Sequence, residues 1–459
     1  MVGSLVVSSL VVPWSRSLVT DIAHFISYTG TAMGGPVLSA AAYFRLLAEA
    51  GYPVTVFSAT KPTDGESVGL DARVRLVQEK GAGWGTFRRC PALWRQAQES
   101  EMDLVHSYGL WTDVNRLAGT IARRRRLPHL LAPCGMLAPG ALRHHGWKKA
   151  LARFWFQDRA LRGAQCLHAK SPAEYEDLRR FGLRNPVAII ANPVGPGPRD
   201  DALRDNGTRG KEPRAEIGGP KSVVSGSVVP WSIVPGRRTV LFLGRLHPVK
   251  GVRRLVEAWT AIQNQKAESR KQKAEGGGQR AERSVVSSPW SRSPVVSSFC
   301  DWQLVVAGPD EVGMRSGLEG ALREEGCKDS VIFTGQLDEQ QKWAAYGAAA
   351  LFVMPSDFEN FGNAIVEAMG SGLPVITTTG TPWKELPAEG VGWCVAPTVD
   401  DVAGALREAL AMPEEQRLAM GRRAAGFAKR FRPEQVAADL IQVYQWLLRQ
   451  GERPGCVVL

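Results

Sequence analysis

The sequence lacks any long apolar run. No stretch approaches the ~20 residues needed to span a bilayer, and the longest candidate, Leu5 to Trp14, is interrupted by Ser8, Ser9 and Pro13. It also lacks the cationic start of a secretory signal, so a cytoplasmic location is the expectation. Cysteine is scarce and unpatterned: Cys90, Cys134, Cys166, Cys300, Cys327, Cys394 and Cys456 are odd in number and contain no CxxC pair. That excludes a disulfide scaffold, argues against a zinc site and fits a reducing compartment. Acidic residues are in deficit, 45 against 57 Lys and Arg, which leaves a formal charge of +12. Such a surface attracts phosphates, acidic lipid headgroups or nucleic acid, and charge alone does not choose among them. No Asp-x-Asp triplet occurs either, so no metal-holding carboxylate pair of that kind is on offer.

What is present is ordinary globular composition, 44% hydrophobic and 22% charged over 459 residues, enough for two or three domains. One low-complexity word recurs at Ser4 to Ser15, Ser222 to Ser232 and Ser284 to Ser291. Three uneven copies do not make a solenoid. Their neighbours, Arg199 to Pro220 and Lys266 to Arg283, are too polar and turn-rich for a core. They read as an N-terminal extension (1–18), a linker or insertion (196–235) and a second insertion (266–299).

The remainder alternates short apolar runs with helical patterns. Val19 to Tyr28, Val54 to Ser58, Asp103 to His106, Leu130 to Pro133, Cys166 to His168 and Val187 to Ala191 are predicted strands, with a helix over Val37 to Ala50. A second series follows: strands Thr239 to Leu243, Trp302 to Ala307, Val331 to Thr334, Leu351 to Met354, Pro374 to Thr378 and Gly392 to Val395. A helix with apolar positions Val252, Leu255, Val256, Trp259 and Ile262 sits within it. Such βαβ series imply parallel sheets covered on both faces. The fold class is therefore α/β, with two doubly wound Rossmann-like domains at 19–195 and 236–430 facing a central cleft, followed by a C-terminal crossover helix and tail at 431–459. Ligands of these sheets bind beyond the carboxyl ends of the strands.

Three segments there can carry chemistry. Gly244 to Gly251 lies between a strand and a helix and sets Arg245 and Lys250 at a helix N-terminus whose free N–H groups favour an anion. A diphosphate is the natural occupant; a plain basic turn is the alternative. Asp357 to Pro374 contains Glu359 in the loop and Glu367 one turn into a helix starting near Gly362 or Asn363, so the two carboxylates face different parts of one elongated ligand. Glu367 suits the vicinal hydroxyls of a ribose, and its apolar helix calls for a polar partner if it is buried; a first-turn dipole partner for Glu359 and a solvated helix residue for Glu367 are the alternatives. Backbone N–H groups from Asn360 to Asn363 suit a sugar or a phosphate. Finally, Thr29 to Pro36 joins the first strand to the first helix, and Gly34 and Gly35 allow close backbone approach to a ligand.

Gly34-Gly35-Pro36, the Gly-Arg-x4-Lys-Gly turn from Gly244, Leu304 to Pro309, Val331 to Gly335, and Glu359 with Glu367 in an E-x7-E frame occur in this order. Together they resemble the retaining GT-B glycosyltransferases of family 4, the glycosyl transferase group 1 family, over residues 19–195 and 236–450. The resemblance implies transfer of a sugar from a nucleotide diphosphate sugar to a hydroxyl of a glycan or lipid-linked acceptor, with retention, without a metal and without a cofactor. It implies that Arg245 and Lys250 neutralise the diphosphate, that Glu367 holds the ribose, and that Glu359 contacts the donor sugar with the N–H groups of Phe361, Gly362 and Asn363. Gly335 to Leu337 would lie near the base, and Gly34 and Gly35 would approach the diphosphate. Same-face attack, with the leaving phosphate accepting the acceptor's proton, is the usual route in this family; whether Glu359 acts as a nucleophile stays open.

One departure stands out. Many members carry His before Gly in the loop matching Ala132 to Met136, where this chain has Cys134. Either the site does without an imidazole there, or His106 assists from the neighbouring strand end; a structural histidine is the alternative for His106. Arg123 to Arg126, Arg143 to Lys149 and Arg153 to Phe156 mix cations with aromatics, which leaves peripheral membrane contact open beside a solvated helical face. No nucleic-acid-binding module is recognisable, so no nucleic acid partner is expected. The rivals to transfer are a nucleotide-sugar epimerase, a synthase of a soluble disaccharide, and a non-catalytic glycan- or membrane-binding protein.

Overall fold

The computed structural model describes residues 21–29, 35–60, 69–82, 87–143, 146–195, 237–275 and 301–459, with the backbone alone at 35–36 and 265–275. All three copies of the repeated word, and the extension and linker that hold two of them, lie outside the described residues. The helix Val252–Glu275 runs past the point where the second insertion was expected to begin. Contacts divide the chain into two units, one of residues 1–169, 177–188 and 437–459, the other of 170–176 and 189–436.

The sheet of the first unit has the order β14-β7-β6-β5-β4-β1-β2-β3. Its strands are β1 (Ile22–Ile26), β2 (Val54–Thr60), β3 (Val74–Lys80), β4 (Leu104–Tyr108), β5 (His129–Ala132), β6 (Cys166–Ala169), β7 (Val187–Ile189) and β14 (Val457–Val458). The strands pair in parallel from β6 through β3, and β14 closes the edge antiparallel to β7. The chain starts in the middle at β1, winds outward to β3, then returns to β4 on the other side. That reversal is the topological switch point where such sheets take ligands.

The second unit repeats the plan with β8 (Arg238–Leu243), β9 (Trp302–Ala307), β10 (Val331–Gly335), β11 (Leu351–Met354), β12 (Val375–Thr378) and β13 (Gly392–Val395), in the order β10-β9-β8-β11-β12-β13. All its pairings are parallel. Strand alternation feeds two separate cores. Val240, Phe242, Leu304, Val306, Leu351 and Val353 enter one, and Leu241, Val305, Ala307, Phe352 and Met354 the other. Burial on both faces explains why these strands are unbroken apolar runs. It also fixes register, since a one-residue slip would exchange the two sets. The switch point falls between β8 and β11, so the segments following Leu243 and Met354 emerge side by side.

Candidate active site

Those two segments are the Gly244–Gly251 turn and the loop that opens at Pro355. They are tied together by backbone: the Asp357 N–H donates to the Val249 carbonyl at 2.8 Å. Gly251 makes this approach possible. Its φ of +68° suits glycine, and a Cβ there would stand 2.0 Å from the Pro355 oxygen. Arg254, one turn into the following helix, donates to the same carbonyl at 2.8 Å and to Asp357 Oδ1 at 2.7 Å. On the far side, the Glu359 N–H donates to the Gly380 carbonyl at 3.1 Å, and Thr378 Oγ1 donates to the Ser356 carbonyl.

This mounting delivers Glu359 to Lys250. The ammonium donates to Glu359 Oε1 at 2.5 Å, and the buried Ser356 hydroxyl donates to the same oxygen at 2.9 Å. Glu359 is 10% exposed and Lys250 17%. A pair so little hydrated holds only while both partners are present; removing one strands the other charge at a cost of about 3–5 kcal/mol. Arg245 is more exposed and pairs with Glu311 at 2.8 Å.

Glu367 is the fifth residue of the helix Asn363–Gly370, whose start matches the expected one. Gly362 caps it with φ +85°. The polar partner that burial required comes from the helix Glu339–Ala348: Lys342 Nζ donates to Glu367 Oε1 at 3.1 Å and the Tyr346 hydroxyl to Oε2 at 2.9 Å. Phe361 is buried against Trp383, whose indole N–H donates to the Phe361 carbonyl at 2.6 Å. Asn363 Oδ1 accepts from Asn192 at 2.9 Å. At the ends of the neighbouring strands, the Gly308 N–H donates to the Gly335 carbonyl at 2.8 Å, and Leu337 packs, partly buried, against the core to which Tyr346 belongs. Arg245, Lys250, Glu359, Phe361, Gly362, Asn363, Glu367, Gly335 and Leu337 thus all belong to the second unit, on segments at the carboxyl ends of β8, β10 and β11.

Sequence reasoning missed Ser356, Arg254, Lys342, Tyr346 and Gly380. It named Asn360 only for its backbone N–H and missed the contacts with Glu174 and Ser171: Asn360 Nδ2 donates to Glu174 Oε2 at 3.1 Å, and Ser171 Oγ to the Asn360 carbonyl at 3.0 Å. The only signal for Lys342 and Tyr346 was their four-residue spacing, which places both on one helix face.

In the first unit Gly34 lies outside the described residues, and Gly35 opens the helix Gly35–Glu49. Cys134 follows β5 with φ +55° and is partly buried, its thiol 3.4 Å from the Ala132 carbonyl. His106, read from the sequence either as an acceptor-side donor or as a structural histidine, is wholly buried. Its Nδ1 meets the Tyr444 hydroxyl at 2.6 Å and the Tyr108 hydroxyl at 3.0 Å, and its Nε2 faces His168 Nδ1 at 3.2 Å. Both ring nitrogens are engaged within the protein, which is the structural reading of that residue.

Two family models match the chain: a glycosyl transferase 4-like domain over residues 34–193 and glycosyl transferases group 1 over 294–427. The chain belongs to the group 1, family 4 glycosyltransferases. The second match takes in Glu359 and Glu367 but begins beyond the Arg245–Lys250 turn, from which the segment holding the third repeated word separates it. Among individual relatives of this glycosyltransferase, the lipopolysaccharide core biosynthesis mannosyltransferase LpsB of Rhizobium meliloti is 31% identical, over 32% of this chain and 44% of its own. The first curated relatives are matched over 38–54% of their own length. Among solved structures, sucrose-phosphate synthase from Thermosynechococcus elongatus superposes with a TM-score of 0.63 at 20% identity, covering 94% of this chain and 99% of that one. Anabaena Alr3699/HepE in complex with UDP and glucose gives 0.62 at 16%, covering 93% and 100%. These likenesses carry the fold: two parallel-sheet α/β domains of the GT-B type.

Proposed function

We propose that this chain moves a sugar from a nucleotide diphosphate sugar to a hydroxyl of a glycan or lipid-linked acceptor, with retention of configuration and without a metal ion. The observation that carries the reading is the Lys250–Glu359 contact at the β8/β11 switch point, with Glu367 clamped eight residues further on. The relatives named for mannosyl transfer and the neighbour solved with UDP and glucose support the same class. Neither an epimerase nor a non-catalytic binding role is favoured by them.

Breaking the bond between sugar and diphosphate builds negative charge on the leaving group, so fixed cations there lower the barrier most. Lys250 and Arg245 supply them. Both are neutralised by carboxylates before substrate arrives, so an incoming diphosphate exchanges those partners for its own oxygens and frees Glu359 Oε1 toward the donor sugar. Glu367 takes the ribose diol. The acceptor's proton leaves on the departing phosphate, which requires no separate base. A cytoplasmic location with peripheral membrane contact completes the reading. Among the described residues no helix is long and apolar enough to cross a membrane.

The test is turnover of UDP-, GDP- and ADP-sugars by the full chain, with and without EDTA, and with the anomeric configuration of the product read by NMR. The expected result is release of one nucleoside diphosphate, insensitive to EDTA and abolished by Glu359→Ala together with Lys250→Ala. Absence of turnover and of binding with every donor overturns the reading; an inverted product or loss in EDTA overturns the mechanism.

A further inference from the structure

The helical run from Gly146 to Gly163 passes through a π-helical turn at Arg153–Gln157 and shows two unlike faces. Inward it buries Phe156, Gln157 and Leu161. Outward stand Trp147, Leu151, Phe154 and Trp155, exposed by 72%, 63%, 93% and 52%. Trp147, Leu151 and Phe154, spaced by four and three residues, make a single stripe along the helix, and Trp155 stands at its edge. The other large apolar side chains left exposed among the described residues belong to other segments of the chain. Isolated exposed apolar residues need no explanation, whereas a contiguous stripe marks a surface that something covers.

The charge around the stripe says what that is. Between residues 139 and 163 stand Arg143, Lys148, Lys149, Arg153, Arg159 and Arg162 against one acid, Asp158, which is paired with Arg153 at 3.1 Å. Lys148 lies 5.5 Å from the Trp147 ring centre, so cation and indole share one edge of the stripe. With Arg153 neutralised by Asp158, Arg143, Lys148, Lys149, Arg159 and Arg162 remain, so two copies of the chain meeting through this segment would set like charge against like charge. An acidic lipid surface offers phosphates to the cations and an acyl boundary to the aromatics at the same depth.

We propose that this helix is a membrane-docking element lying in the plane of an anionic bilayer. Trp147, Leu151 and Phe154 enter the acyl boundary, and Arg143, Lys148 and Arg159 sit at the phosphates. Trp155, held from behind by Phe87 at 5.6 Å between ring centres and by Arg116 at 5.4 Å, anchors the helix to its own unit. This deepens the expectation of peripheral contact by naming the element and the lipid chemistry. It rests on the exposed stripe, not on the transfer chemistry.

The test is co-sedimentation of the full chain with vesicles of phosphatidylcholine alone and of phosphatidylcholine with phosphatidylglycerol. Binding to the anionic vesicles is expected, weakening as salt is raised. The Trp147→Ser/Leu151→Ser/Phe154→Ser variant should bind at least about tenfold more weakly, with an unchanged melting temperature because the three side chains are exposed. Lys148→Glu/Arg159→Glu should lose the preference for anionic vesicles. The proposal is overturned if the wild-type chain ignores anionic vesicles, if the triple-serine variant binds as the wild type does, or if the stripe instead holds a dimer that this variant dissociates. A chain that docks on vesicles yet turns over no nucleotide sugar would defeat the transferase reading and leave this one standing.

Discussion

Glu367 is oriented before any ligand arrives, because Lys342 and Tyr346 each hold one of its oxygens. Burial works against the Lys342 charge, and the Glu367 and Glu339 carboxylates more than offset it, so the amine's pKa lies above its ordinary value. Burial, then the neighbouring Glu367 charge, pushes the Tyr346 phenol well up, which keeps it a hydrogen-bond donor at any working pH. An ionised carboxylate has about four acceptor sites, so two remain for the ribose diol that the proposed function assigns to Glu367. Tyr346→Phe leaves Glu367 Oε2 and the Ala364 carbonyl without that donor, a loss of about 1–3 kcal/mol. Its expected signature is a donor KM raised roughly tenfold with kcat little changed; an equal fall in kcat would move Tyr346 from positioning into the chemistry. Glu359→Gln should do the reverse. It removes the charge opposite Lys250 and should cut kcat by about a hundredfold or more while nucleotide affinity stays near that of the wild type. Steady-state kinetics beside nucleotide titration separates the two variants.

Among the elements, the turn before the helix Val252–Glu275 is the one on which the site's shape depends. Gly251→Ala combines an unfavourable left-handed φ with a clash against the Pro355 oxygen, a cost of at least about 2 kcal/mol. In a unit of this size that lowers the melting temperature by about 4–8 °C. Because the Pro355 loop is displaced, donor affinity should fall with it; calorimetry and nucleotide titration on the same sample check both, and a variant that melts lower but binds normally would separate turn from site. The central strands β8, β9 and β11 were legible because burial on both faces writes them as apolar runs. β3 was not, since Val74–Lys80 is an edge strand whose Arg75, Gln78, Glu79 and Lys80 mask its alternation. β14, with two residues, carries no pattern at all. The same divide runs through the site. Lys250, Glu359 and Glu367 stand in local motifs and could be read. Their partners could not, because Lys250 meets Glu359 across 109 positions of chain and Lys342 meets Glu367 across 25, distances closed only by the sheet order that sets β8 beside β11.

At the scale of the whole molecule, stability should respond to acid through histidines that the site does not use. His24 and His129 lie wholly inside the first unit. Burial lowers His24 from 6.5 to about 3 and His129 to about 4. His24 Nδ1 meets the Tyr108 hydroxyl at 3.2 Å, and among the described residues its Nε2 has no hydrogen-bond partner; His129 Nε2 meets the Ser107 hydroxyl at 2.8 Å. A proton on either ring would be a charge buried away from water. The unfolded chain accepts protons near pH 6.5, and the folded chain refuses them until much lower pH. Below about pH 6.5 the unfolded state therefore binds more protons, and stability falls as pH falls; above it both states are neutral and the contribution is fully present. Each unit of pKa difference is worth about 1.4 kcal/mol, so the two residues together can withdraw several kcal/mol by pH 4. The window from about pH 6.5 to 5 separates histidine titration from that of the carboxylates, because unperturbed carboxylates stay largely ionised there. Urea unfolding across that window should give a stability that declines with acidification. His24→Gln and His129→Gln should each flatten the decline even where they lower the plateau near pH 8, because the slope counts protons and the plateau counts packing. An unchanged slope in the double variant would show that these rings do not carry the acid response.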